Sequence, residues 1–98
     1  MFSIMKLISI DKSHRKNKKF VAVFKLGNKY KNVHFGDSRY KDYTKTGDKN
    51  KRYAYWNRHR KEISQSPDTP GILSLYVLWG DTADINKNIR IFKKLFNL

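Results

Sequence analysis

The chain of 98 residues carries 22 Lys and Arg against 8 Asp and Glu, a formal net charge of +14, and contains no cysteine. That length admits one small domain and excludes the separate cofactor and substrate lobes of a large enzyme. The lack of cysteine excludes a disulfide scaffold, thiolate zinc sites and cysteine nucleophiles.

An apolar fraction of 39% and an aromatic fraction of 14% suffice for a core, which a disordered basic tail lacks. No segment reaches the roughly 20 apolar residues of a spanning helix; the longest run, Ile72 to Trp79, is interrupted by Ser74. Met1 to Ile10 is apolar around Lys6, but it has no basic region before it and no small-residue cleavage site after it. It reads as a strand, and a soluble, non-secreted protein is expected.

Taken in chain order, residues 3–10 predict a first strand, with Ile4, Lys6, Ile8 and Ile10 on one face. Asp11 to Lys19 is a basic loop or wide turn. Residues 19–26 predict a second strand, in which Phe20, Ala22, Phe24 and Leu26 alternate with Val21, Val23 and Lys25. Gly27-Asn28 signals a two-residue hairpin, and residues 30–35 form the third strand.

A polar stretch follows to Lys49. Asp48 or Asn50 then caps a helix over 51–63, with Tyr53, Trp56, Arg60 and Ile63 on its inner face. Thr69 and Pro70 open a short helix over 71–79, Thr69 as side-chain cap and Pro70 in the first turn. Asp81 or Thr82 caps a last helix over 83–96, where Ile85, Ile89, Phe92 and Phe96 form an apolar stripe. The expected fold is a single small α+β domain over 1–98, a three-stranded antiparallel β-meander followed by three α-helices.

The charge is uneven. Residues 1–63 hold 18 basic and 5 acidic side chains; residues 64–98 hold 4 and 3. Such asymmetry points to a polyanionic partner, nucleic acid first, because phosphates attract Lys and Arg without sequence reading. An anionic membrane surface or an acidic protein would answer the same charge. The candidate nucleic-acid-binding cations are Arg15, Lys16, Lys18 and Lys19 in the first loop. Arg39, Lys41, Lys45, Lys49, Lys51, Arg52, Arg58, Arg60 and Lys61 follow. Tyr40 and Tyr43 are placed among them to stack on unpaired bases, whereas Tyr53 and Trp56 read as helix core.

Asn57-Arg58-His59-Arg60 suits phosphate contact better than hydrolysis, since no paired carboxylates stand near His59 in sequence. His14, His34 and His59 match no metal-site spacing. Neither a Gly-rich phosphate loop nor a Ser-His-Asp set is present, so no enzymatic activity, cofactor or metal is expected. Ile72, Leu73, Leu75, Tyr76, Leu78 and Trp79 are apolar on nearly all sides, which predicts a helix buried in its own fold or partly in a homodimer.

Several landmarks stand in a fixed order. They are Phe35-Gly36, Tyr40, Asp42-Tyr43-Thr44, Lys51-Arg52, Tyr53 and Arg58-His59, then Thr69-Pro70-Gly71, Leu73-Ser74, Leu78-Trp79-Gly80, Ile89, Phe92-Lys93-Lys94 and Phe96. The order resembles a family of small basic proteins of uncharacterised function from large double-stranded DNA viruses of eukaryotes, over roughly residues 18–97. The resemblance implies a viral protein located in the virion interior or the viral factory of the host cytoplasm, and it brings no catalytic residues. The expected function is sequence-independent binding of double-stranded DNA, condensing or packaging a viral genome. The rivals are a minor capsid or cement protein and a viral RNA-binding factor.

Overall fold

The computed structural model describes residues 4–98; Ser3, the expected start of the first strand, lies outside them. Three strands, β1 (Met5–Lys12), β2 (Lys18–Leu26) and β3 (Lys29–Asp37), form an antiparallel sheet in the order β1-β2-β3. The meander is the expected one. Alternation sets its inner face: Phe20 pairs across from Phe35 and Ala22 from Val33, and Phe24 is fully buried. Gly27, at φ +63°, turns the two-residue hairpin into β3, while Asn28 needs no positive φ.

Strand β1 departs from simple alternation. Leu7 pairs with Phe24 but Ser9 pairs with Val23, so Ile8 is an extra residue in the ladder. This bulge flips the register. Leu7 is buried and Ile10 packs on the core, whereas Ile8 is 53% exposed. The expected common face of Ile4, Ile8 and Ile10 is therefore broken. The first loop is also shorter than expected, because pairing runs on to Lys12 and resumes at Lys18.

Four helices follow rather than three: α1 (Tyr43–Thr46), α2 (Lys49–Arg58), α3 (Pro70–Leu73) and α4 (Ile85–Leu95). The additional one, α1, is a single turn capped by Asp42 and closed by Gly47 at φ +62°. Asp48 caps α2, accepting from the N–H groups of Asn50 and Lys51. The helix expected over 51–63 stops at Arg58 and tightens into a 3-10 turn over Arg60–Ser64. Its inward residues, none fully buried, are Arg52, Tyr55, Trp56 and His59, one step away from the stripe read in the sequence. Tyr53 is 71% exposed and Ile63 45%, so neither is core.

Thr69 and Pro70 do open α3, but the Thr69 hydroxyl donates to the Ser66 carbonyl at 2.8 Å instead of capping the helix. Helix α3 continues into a π turn over Ser74–Leu78, where the Trp79 N–H reaches the Ser74 carbonyl at 3.0 Å. Asp84, not Asp81 or Thr82, caps α4.

The helices lie on the inner face of the sheet. Ile72, Leu73, Leu75, Val77 and Leu78 fill the centre with Phe24, Phe35 and Phe92. The apolar run is thus buried in the domain's own fold, as expected, with Tyr76 and Trp79 half-buried at its edge. No helix among the described residues is long and apolar enough to cross a membrane.

Candidate nucleic-acid interface

Beside β3 the chain leaves a cleft of about 800 Å³, lined by residues from β2, β3, the 38–42 linker, α2 and the π turn. Its back wall is largely aromatic and apolar. Tyr55 stacks on Trp79 with ring centroids 4.3 Å apart and planes within 5°, and His59 stacks on the other face of the pair at 4.2 Å from Tyr55. Leu78 and the Gly36 backbone complete it. Gly36 has φ +83°, and a Cβ there would lie 2.8 Å from Leu78 Cδ1, so this close approach requires glycine.

The cations in the cleft fall into two groups. Lys19 is committed: its Nζ donates to Asp42 at 2.5 Å, with Asp42 2% exposed. Arg39 grips Asp37 with Nε at 3.0 Å and a terminal nitrogen at 2.8 Å. Those hydrogen bonds hold the Asp37 carboxyl well below the usual range, at about 2. By contrast Lys41, Lys51 and Arg58 are exposed at the mouth and make no ion pair among the described residues. Tyr40 stands with them, 65% exposed, with the Arg39 guanidinium 5.6 Å from its ring centre.

The first loop joins this cleft. The Ser38 N–H and hydroxyl bond the Asn17 and Lys16 carbonyls, both at 3.2 Å, and Lys18 pairs with Asp37 in the sheet. Arg15, Lys16 and Lys18 thereby extend the cationic mouth through residues 37–39. At the loop's base, Ser13 Oγ and His34 Nδ1 are hydrogen-bonded at 2.7 Å, and His14 meets His34 edge-on at 5.0 Å. Burial, then the charges of Arg15, His14 and Lys18, lowers the pKa of His34.

Of the residues singled out from sequence, Lys19, Arg39, Tyr40, Lys41, Lys51 and Arg58 come together in the cleft. Lys45, Lys49, Arg60 and Lys61 are exposed but stand apart from it; Arg60 bonds the Asn57 side chain at 2.9 Å. Two expectations are corrected. Tyr43 is 6% exposed and packs under Arg52, because α1 turns it inward, so it has no face for a base. Arg52 is a structural clamp, donating to the carbonyls of Trp79 and Gly80 and to Asp81. Sequence reading also passed over Glu62, which folding brings to 3.0 Å from His59 Nδ1. The signal was the i, i+3 spacing.

The chain matches no curated protein and no solved structure. One family does match, over residues 8–59, a span that covers most of the sheet, the basic loop and all the cations of the cleft. Since that is more than half of the sequence, the chain belongs to DUF5754, a family of unknown function.

Proposed function

We propose that this domain binds nucleic acid without reading sequence and serves to condense or package a viral DNA genome. The observation that carries the reading is the continuous cationic surface. Arg15, Lys16 and Lys18 on the loop run into Lys41, Lys51 and Arg58 at the cleft mouth, and none of the six has an acidic partner among the described residues. Unpaired cations gain by displacing counterions condensed on phosphate, so affinity should fall steeply with salt and be indifferent to sequence. The resemblance to basic proteins of large DNA viruses supplies the genome as the polyanion.

The test is a titration of random-sequence duplex DNA at several salt concentrations, with the parent and an R15E/K16E/K18E triple variant. Arg15 and Lys16 are exposed, Lys18 is half-buried at the start of β2, and none makes an ion pair among the described residues, so the variant should stay folded by circular dichroism and lose most of its affinity. If the parent fails to bind at about 100 mM salt, where phosphate-driven binding is still strong, the reading is wrong. An acidic protein surface, as on a capsid, then becomes the partner to pursue.

A further inference from the structure

We infer that the cleft seats a single unpaired nucleotide, its base against the inner wall and its phosphate at the mouth. The surface would therefore hold gapped or single-stranded segments more tightly than intact duplex. The inference rests on the nucleic-acid reading above and narrows its ligand.

Three observations carry it. First, the distribution of charge is inverted relative to a pure phosphate grip. The deep cation, Lys19, is neutralised by the buried Asp42, while at the exposed mouth Arg39 pairs with Asp37 and Lys41, Lys51 and Arg58 are uncommitted. A neutral group suits the inside and an anion the mouth. Second, the wall is aromatic and apolar: Tyr55 is itself stacked between Trp79 and His59, which leaves Trp79 and Leu78 to meet a base. The hydroxyls of Ser74 and Thr46 lining it can both donate and accept, so they suit the edge of any base.

Third, Tyr40 leaves 65% of its surface in water beside the mouth, contributing little to the core and offering a ring face to a neighbouring base. A volume of about 800 Å³ is of small-molecule size. A duplex presents phosphates and base edges but keeps its base faces stacked, so it cannot use this wall. The loop cations remain available to the flanking duplex backbone.

The experiment measures fluorescence anisotropy at one fixed salt with four probes of the same random sequence. These are blunt duplex DNA, the duplex with a short single-stranded gap, the single DNA strand and the single RNA strand. Base stacking on an aromatic side chain predicts that gapped and single-stranded probes bind about 5- to 150-fold tighter than blunt duplex. Tyr40→Ala should narrow that difference by removing the stacking partner of the neighbouring base. The two single strands identify whether DNA or RNA is the preferred source of the nucleotide. Equal or tighter binding of blunt duplex overturns the inference and leaves the condensation reading standing. Failure to bind any probe overturns both.

Discussion

Asp42 shows how one buried acid organises the cleft's edge. Its carboxylate accepts from the Thr44 N–H at 2.9 Å, from the Thr44 hydroxyl and from Lys19 Nζ, capping α1 and fixing the 38–42 linker to β2 at once. Replacing it with Ala leaves Lys19 without its partner and α1 without a cap. Breaking a buried pair costs about 3–5 kcal/mol; the Lys19 side chain keeps 16% of its exposure, so the low end, about 3 kcal/mol, is expected in urea denaturation. His34 gives the pH dependence. Its folded pKa lies below 6.5 because burial, Arg15, His14 and Lys18 all oppose its charge. The unfolded chain therefore takes up the proton first. The His34 contribution is intact above pH 6.5 and is lost as pH falls through and below that value. The urea midpoint should drop between about pH 7.5 and about pH 5.5, and His34→Gln should flatten that drop. Neither residue's role was readable in the sequence. Asp42 opens a helix of one turn, too short for periodicity, and the neighbours of His34 are assembled by the hairpin.

At the scale of elements, the π turn is the feature that joins α3 to α4. Its extra residue delivers the chain at Gly80 to the side of α4, where Asn88 is 1% exposed. Asn88 Nδ2 donates to the carbonyls of Val77 and Thr82 at 3.0 and 2.8 Å, and Oδ1 accepts from the Thr82 N–H and hydroxyl at 3.1 and 2.8 Å. All its polar capacity is used. Asn88→Ala should cost about 3 kcal/mol, since several buried backbone groups lose their partner together. Gly80→Ala should be at least as damaging, because a Cβ there would lie 2.2 Å from the Tyr76 carbonyl oxygen. Thermal unfolding of both variants against the parent checks this pair. The sequence announced the strands well because alternation and Gly27-Asn28 are local signals. It misplaced the inner stripe of α2 because the face that turns inward, with Trp56 donating to the Trp79 carbonyl, and the end at His59, bonded to Glu62, depend on tertiary contacts, although the Asp48 cap that starts the helix is local. The bulge at Ile8 has no local signature either, and it reverses which isoleucine meets the core.

Across the whole molecule, six of the fifteen expected contact residues line one cleft. What composition could not convey is which cations are free. Asp42 lies 23 residues from Lys19, and Asp81 lies 29 from Arg52, so only folding decides that these two bases are committed. That distinction has a measurable consequence. A count of all thirteen expected cations would imply a salt dependence about twice as steep as the unpaired ones on the loop and the cleft mouth can supply. Six uncommitted cations on the loop and the cleft mouth predict a slope of log K against log salt of about −5 on duplex DNA. Replacing Arg15, Lys16 and Lys18 with Ala should bring the slope to about −2.5, and replacing Lys19 and Arg52 should scarcely change it while lowering stability. A parent slope of about −9 would mean that the unpaired Lys45, Lys49, Arg60 and Lys61 reach phosphate as well, whereas one that responds to Lys19 and Arg52 as strongly as to the loop would mean that the ion pairs of the free domain open on binding. The cleft's neutral interior would then become a second phosphate site, and the division between inner and outer cations would fail with it.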